Sequence, residues 1–444
     1  MQGLLKLFKK KPMLKALTNY DPEIRQVPDP DRVVIPIEYP GRVRYQPTVA
    51  IDDVVRKGQV IAKSPIGNCL CASISGTVKD ITSIWTAQSY HSPAIIIEGN
   101  GEEPIDPEEL FASTAAASST DDYEIALKRL RTAGVAPPWS MSGREYSDDD
   151  EVIPALPPIK AFIVTGVRQE PTIVTSQILL EQHADKVAEG LQRIGALLPG
   201  ARVCMTLPQQ FRSWAWQKFA DIAELEFIPQ HYSGRIERDI VSKIVGQRIP
   251  NRESYRYHGI AVLDVEFLLA MVDALNGKSS LTQKCVTISG PDIEQAITVR
   301  FPLGSSIAHI LTSQGLNPSD YSRHVVGGPM MGFAQYTDST PLTYNNGIYL
   351  ITEDLSPFDS IAPCINCGRC ARACPENIQV HLVNRMIEFG QIQEAKNYHP
   401  EACHECGLCA GVCPAERPIV QLLHFCNHEM VHGERYNWIT GDNQ

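Results

Sequence analysis

Eight cysteines near the carboxyl end of this 444-residue chain stand in two strings of matching spacing. The first reads Cys364-Ile-Asn-Cys367-Gly-Arg-Cys370-Ala-Arg-Ala-Cys374-Pro375, and the second Cys403-His-Glu-Cys406-Gly-Leu-Cys409-Ala-Gly-Val-Cys413-Pro414. Each is C-x₂-C-x₂-C-x₃-C-P, the ligand spacing of a [4Fe–4S] cluster. Three thiolates at this spacing wrap one face of a cuboidal cluster, because a tight turn aims them at a common centre. Gly368 and Gly407 keep that turn free of a bulky side chain. Zinc ribbons use two C-x₂-C pairs far apart, so a triplet followed by C-P argues against zinc. The chemistry indicated is one-electron transfer.

In two-cluster ferredoxins the fourth cysteine of each string ligates the other cluster. Cys364, Cys367, Cys370 and Cys413 are therefore expected to hold one cluster, and Cys403, Cys406, Cys409 and Cys374 the second. Other reactive patterns are weaker. His428-Glu-Met-Val-His432 matches H-E-x-x-H, but it lies near the end of the sequence with no third ligand in view, so with His424 it reads as a polar helix face or a contact with another protein of an assembly. Cys69 and Cys71 share one face if they lie on a strand, and read as small buried residues, as do Cys204, Cys285 and Cys426. There is no local Ser/His/Asp signature and no Walker loop.

The bulk properties exclude several classes. A formal charge of −11 argues against a nucleic-acid partner. No apolar run reaches the length of a membrane-spanning helix. Eight of thirteen cysteines belong to the two strings, and such clusters assemble on reduced thiolates, which argues for a cytosolic protein. At the amino end, Leu4, Leu5, Leu7 and Phe8 run straight into Lys9, Lys10, Lys11 and Pro12, too short an apolar stretch for a signal peptide. This basic apolar tip suits peripheral contact of residues 1–15 with an anionic membrane surface or a partner protein; a solvated tail is the plainer alternative.

The elements that must carry the cysteines fall into a multidomain α+β arrangement. After a basic amphipathic tail, 1–31, short β-type runs alternate with turns over 32–100: Val33-Val-Ile-Pro-Ile37, Thr48-Val-Ala-Ile51, Gln59-Val-Ile-Ala62, Gly76-Thr-Val78 and Ala94-Ile-Ile-Ile-Glu98. Val55-Arg-Lys-Gly58-Gln-Val-Ile-Ala62 and Ala72-Ser-Ile-Ser-Gly76-Thr-Val78 resemble the barrel-sandwich (lipoyl-like) fold, and no lysine between Ser64 and Ile74 stands ready for a prosthetic group. A linker and loop, 101–158, leads to an α/β domain, 159–280. There strand-like Ala161-Phe-Ile-Val164 and Val203-Cys-Met-Thr-Leu207 mix with helix-like 176–194 and 262–275, the pattern of a largely parallel sheet. A second β unit, 281–345, carries the turn-rich Gly327-Gly-Pro-Met-Met-Gly332. The cluster region, 355–425, is expected to be helical between strings, because Val380, Val383 and Ile387 fall at helix spacing; a tail, 426–444, follows.

This order of parts is similar to the RnfC family, a component of the Rnf ion-translocating electron transport complex, over residues 32 to about 423. Tyr232-Ser-Gly234-Arg-Ile-Glu237, Gly246-Gln-Arg-Ile-Pro250, Asp273-Ala-Leu-Asn-Gly277, Val286-Thr-Ile-Ser-Gly290 and Arg417-Pro-Ile-Val-Gln421 carry the resemblance beyond the cysteines. It implies a β-grasp (SLBB-like) domain at 281–345, a helical dicluster ferredoxin domain, and a peripheral subunit on the cytoplasmic face of the cell membrane. It also implies an FMN and NADH site, and here the chain departs. The family has a Gly-Gly-x-Gly-Phe-Pro loop whose bare amides approach phosphate, as does the flavoprotein subunit of respiratory complex I; this chain reads Ala133-Gly-Val-Ala-Pro137-Pro138-Trp139-Ser-Met-Ser-Gly143. Two prolines lack N–H donors and Trp139 adds bulk. The family's Asn-Gly-Ala-Glu-Cys-Glu-Pro becomes Thr165-Gly-Val-Arg168-Gln-Glu170-Pro171, which leaves Glu170 as a remnant of the flavin site, and family aspartates become Ser176 and Gln177.

The expectation is an electron-transfer subunit of a membrane-associated oxidoreductase complex. It carries two [4Fe–4S] clusters, lacks FMN and NADH, and passes electrons between ferredoxin or another redox protein and membrane-embedded redox subunits. The alternatives are a flavin-containing NADH dehydrogenase subunit with a diverged nucleotide site, and a structural adaptor.

Overall fold

A computed structural model describes residues 17–38, 44–88, 90–112, 123–139, 156–251, 253–352 and 362–432. The expected role of residues 1–15 lies outside that range.

Strand β1 (Tyr20–Gln26) falls inside the segment expected as a tail, yet it pairs in parallel with a strand almost three hundred residues on. The barrel-sandwich region follows as two small sheets. Strands β2 (Arg32–Pro36), β4 (Val54–Val55), β7 (Gly76–Trp85) and β8 (His91–Gly99) form one, ordered β2-β8-β7-β4; β3 (Gln46–Pro47), β5 (Val60–Lys63) and β6 (Cys69–Cys71) form the other, ordered β3-β5-β6. Val33, Ile35, Ile61, Leu70, Ile74, Val78, Ile95 and Ile97 close the core between them. Burying such a side chain contributes roughly 1.5–3 kcal/mol. Residues 48–51, expected as a strand, instead form a bend and turn that lead to Asp52 at φ 72°.

The α/β region is a four-stranded, wholly parallel sheet of β9 (Ala161–Thr165), β10 (Arg202–Pro208), β11 (Glu224–Ile228) and β12 (Ile260–Asp264), ordered β11-β10-β9-β12. All five residues of β9 are buried, as a strand covered on both faces requires. Two helix-like stretches resolve differently from expectation. Residues 176–194 divide into α2 (Thr175–Gln182) and α3 (Ala184–Leu197), because His183 leaves helical geometry at φ −127° and ψ 31°. The apolar start of 262–275 belongs to β12, and the helix α6 (Val265–Leu275) begins only where Asp264 caps the Phe267 N–H at 2.8 Å. The remaining helices here are α1 (Tyr123–Thr132), α4 (Arg212–Phe219) and α5 (Glu237–Val245).

The second β region places β13 (Gln283–Ser289), β14 (Ala296–Pro302), β15 (Arg323–Val326), β16 (Phe333–Ala334) and β17 (Gly347–Ile351) with β1 in a six-stranded sheet, ordered β1-β14-β13-β17-β15-β16. Helix α7 (Ile307–Ser313) buries Ile307, Ile310 and Leu311 against it. Residues 327–332 form the turn between β15 and β16. The carboxyl-terminal region is helical: α8 (Arg369–Ala373), α9 (Val380–Glu388), α10 (Leu408–Gly411) and α11 (Ile419–His432). Val380, Val383 and Ile387 are 1%, 0% and 5% exposed, the inward stripe that their spacing predicts.

Candidate iron–sulfur centres

The two cysteine strings fold as near copies of one another. Asn366 and Glu405, the residues before the second cysteine of each string, take φ of 55° and 53°; Gly368 and Gly407 take 66° and 76°; Asn377 and Glu416, three residues past the last cysteine, take 57° and 51°. Each left-handed residue other than glycine costs on the order of 1 kcal/mol. Repetition of the same costly conformation at matching positions means that one backbone path around a common centre is being imposed twice. After each glycine a single helical turn, α8 or α10, carries the third cysteine.

The side chains gather across the strings. One cavity is lined by Cys364, Cys367, Cys370 and Cys413, and another by Cys374, Cys403, Cys406 and Cys409. The two differ in depth. Cys364 is exposed, whereas Cys406 and Cys409 are 7% and 8% exposed. Burial, with neighbouring thiols and Glu405 adding to it, pushes the Cys403 thiol up to about 12, and burial raises Cys406 and Cys409 as well. Buried sulfurs become thiolates when cationic metal offsets the lost hydration. Four sulfurs facing one cavity, with the Glu405 N–H donating to Cys403 Sγ at 3.3 Å, are a donor set that fits a [4Fe–4S] cluster.

The second string is bound into the rest of the molecule by side chains that sequence spacing did not single out. Tyr232 Oη donates to the Cys406 carbonyl at 2.6 Å and Asn251 Nδ2 to the Cys403 carbonyl at 2.6 Å. Tyr232, Ile236, Cys406 and Leu408 form a small buried cluster joined by Met330 and Ala373. Glu376 receives His404 Nε2 at 2.6 Å and pairs with Arg248, with Asp239 close by. His424 bonds Glu405 through Nδ1 at 2.9 Å, so this member of the histidine series serves the second string; the side chains of His428 and His432 lie outside the described residues. Arg417 pairs with Glu388 and reaches the Ala362 carbonyl beside the first string. The strings around Tyr232, Arg248 and Arg417, the glycine pair at 327–328 and the histidine series at 424–432 carry these contacts, yet nothing in their spacing assigns them to the cysteines.

At the parallel sheet, β12 and β10 lie on opposite sides of β9, so the crevice beyond the carboxyl ends of β9 and β12 is where an open α/β sheet binds ligands. Protein charges occupy that position. Arg168 Nη2 lies 3.0 Å from Asp264 Oδ2 and 4.0 Å from Glu266 Oε2, Lys284 Nζ lies 3.1 Å from Glu266 Oε2, and the Cys285 N–H donates to Glu266 Oε1 at 2.5 Å. Desolvation raises the Asp264 pKa, but Arg168 and Lys284 outweigh it and hold the carboxyl below its ordinary range. Glu170 is 5% exposed and points elsewhere, accepting the N–H groups of Met330 and Met331; burial lifts its carboxyl to about 7 against those two bonds.

The stretch 133–139 finishes helix α1. The amides of Ala133, Gly134 and Val135 donate to the carbonyls of Arg129, Arg131 and Leu130 at 2.9, 3.1 and 2.9 Å. Pro137 and Pro138 have no amide proton, and Trp139 is buried edge-on against Phe162 with ring centres 5.6 Å apart. Residues 140–143 lie outside the described range. Ser176 and Gln177 are 1% and 3% exposed, and Ser176 Oγ and Gln177 Oε1 have no protein partner. Cys69, Cys71, Cys204, Cys285 and Cys426 are all buried and unbridged, in keeping with small apolar packing.

Comparison with known proteins gives a consistent result. Residues 10–102 match the RnfC barrel sandwich hybrid domain, and residues 363–416 match a 4Fe-4S dicluster domain. The chain is 26% identical over 422 residues to the C component of the ion-translocating oxidoreductase complex of Rhodobacter capsulatus, covering 92% of this chain and 80% of that one. It is 28% identical over 428 residues to the C component of the proton-translocating ferredoxin:NAD(+) oxidoreductase complex of Clostridium ljungdahlii, covering 93% and 91%. The corresponding protein of Pseudomonas aeruginosa is 27% identical over 382 residues, 82% of this chain but 47% of the longer relative.

Proposed function

We propose, for a chain that belongs with the RnfC proteins of the Rnf-type ion-translocating oxidoreductase complexes, that it is the electron-transfer subunit of such a complex and does no flavin or nicotinamide chemistry of its own. The observation that carries this reading is the pair of cavities, each lined by three cysteines of one string and the last cysteine of the other. Cys364, Cys367, Cys370 and Cys413 hold one cluster, and Cys403, Cys406, Cys409 and Cys374 the second. A [4Fe–4S] cluster at each place supplies one-electron transfer. The chain's contribution is to hold the sulfurs, set their burial and hydrogen bonds, and exclude water from the deeper pair. Cys364 and Cys367 bring the first cluster toward the surface, where a redox partner exchanges electrons; Tyr232, Asn251 and Met330 enclose the second.

Three features support loss of the FMN and NADH site. The amides of residues 133–135 are consumed as helix caps, Arg168 and Lys284 neutralise the acidic groups in the sheet crevice, and Trp139 fills its own surroundings. These residues do not fit a flavin phosphate. The β13–β17 sheet with α7 is read as the β-grasp (SLBB-like) unit, and the assembly as peripheral on the cytoplasmic membrane face beside membrane-embedded redox subunits. Among the described residues no helix is long and apolar enough to cross a membrane.

A second reading draws on one observation. Ser176 Oγ and Gln177 Oε1 are buried without a protein partner, and each such group costs about 1–3 kcal/mol unless water or a ligand satisfies it. A diverged flavin site would use them. Iron and flavin analysis of anaerobically purified complex separates the readings: about eight iron atoms per chain without flavin supports the first, and stoichiometric flavin reduced by NADH overturns it. In the same preparation Cys413→Ala removes or alters the cluster bound mainly by the first string. Paramagnetic resonance showing only the second string's cluster changed would refute the crossed ligation.

A further inference from the structure

The Glu170 carboxylate sits where three regions of the chain meet. Its Oε1 accepts the N–H groups of Met330 at 2.9 Å and Met331 at 2.5 Å, both in the turn between β15 and β16. Gly328 of that turn takes φ 119°, and a Cβ there would lie 2.7 Å from Glu170 Cδ, so only glycine lets the carboxylate approach the two amides. The other side of the turn rests on the second cysteine string. A Cβ on Gly407 would lie 2.5 Å from the Met330 carbonyl oxygen, and Met330 packs with Cys406, Leu408, Tyr232 and Ile236. The Gly327 N–H is bound to the Gly347 carbonyl at 2.8 Å, which ties the base of the turn to β17. Met330 is thus held from one side by a buried carboxylate and presented on the other to a cysteine turn.

We propose that Glu170 is a positioning residue for the second cluster, acting through the main chain of Met330 and Met331 to hold Met330 over Gly407 and keep water from Cys406 and Cys409. This rests on the assignment of Cys403, Cys406, Cys409 and Cys374 as ligands. The physical link is that cluster potentials respond to solvent exposure and to hydrogen bonds at the sulfurs. Without the acceptor, two amides lose their partner, the turn relaxes, and the Met330 side chain no longer seals the cysteine turn. Glu170 Oε2 has no protein partner, so a carboxamide that retains Oε1 preserves the hold. The remnant of a flavin-site motif thereby serves the cluster.

The test uses anaerobically reconstituted full-length protein as wild type, Glu170→Ala, Glu170→Gln and Cys406→Ser, with iron analysis, paramagnetic resonance and potentiometric titration. Cys406→Ser identifies the signal of the second cluster. Glu170→Ala is expected to shift the midpoint potential of that cluster and broaden its reduced-state signal at unchanged iron content, while the first cluster keeps both properties. Glu170→Gln retains the wild-type line shape. If Glu170→Ala does not fold with full iron, Met330→Ala leaves the carboxylate and both amides in place and is expected to give the same selective shift. Both clusters unaltered in Glu170→Ala, or in Met330→Ala where that variant stands in, overturn the proposal. Wild-type protein lacking two cluster signals overturns the ligand assignment beneath it, and the proposal with it.

Discussion

Gly368 and Gly407 occupy equivalent places in the two strings, and replacing each with alanine separates intrinsic backbone cost from the cost of docking. Both have left-handed φ, 66° and 76°, so Ala carries a conformational penalty of about 1–2 kcal/mol at either place. What the new methyl group meets is different. At Gly368 the nearest atom is Arg372 Nη1 at 3.3 Å, the end of a long side chain that can swing aside. At Gly407 it is the Met330 carbonyl oxygen at 2.5 Å, with Met330 Cα at 3.4 Å, both main-chain atoms fixed by the Glu170 bonds. Overpacking against fixed atoms adds roughly 1–3 kcal/mol. Gly407→Ala should therefore cost about 2–5 kcal/mol and Gly368→Ala about 1–2 kcal/mol. The assay is loss of visible cluster absorbance in urea under anaerobic conditions. With a slope of roughly 2 kcal/mol per molar urea, an extra ~2 kcal/mol lowers the midpoint by about 1 M. Equal midpoints for the two variants would refute the docking of the β15–β16 turn on the second string.

Two other perturbations probe regions away from the cysteines. Arg168→Ala leaves Asp264 and Glu266, 18% and 11% exposed, with Lys284 alone, at a cost of roughly 3–5 kcal/mol. Because the folded pKa of Asp264 is held below the unfolded value of ~3.9, its stabilisation is present above that pH and is lost as pH falls below it. In Arg168→Ala the desolvation that raises this pKa loses its main opponent, so acid destabilisation should begin at higher pH; melting curves across acid pH that superimpose on wild type would contradict this. Removing residues 1–15 should weaken sedimentation with anionic vesicles or co-purification with membrane subunits at constant iron content, whereas full association of the shortened chain would dismiss an anchoring role.

Local pattern carried much of the architecture. The cysteine spacing named the chemistry, because ligand geometry around one cluster is satisfied largely within eleven residues. Val380, Val383 and Ile387 marked an inward helix face, and alternating apolar runs marked the parallel sheet. The split of 262–275 into strand and helix was not legible, since an uninterrupted apolar run serves a buried strand and a buried helix equally well; Asp264, by capping Phe267, decides where one becomes the other. β1 was hidden for another reason: its partner β14 lies far along the chain, and an edge strand of mixed polarity has no period of its own.

What the sequence determined alone was therefore the set of thiols and their two turns, beside a stretch at 133–143 that departs from the glycine-rich loop of the family it resembles. Tertiary structure decided how deeply each cysteine is buried, that the amides of 133–135 are spent on α1, and that Glu170 grips the turn at 327–332. Spacing along a chain limits only what neighbours in sequence can reach. Whether a buried carboxylate meets a flavin or two amides 160 residues away is set by which surfaces the folded domains press together.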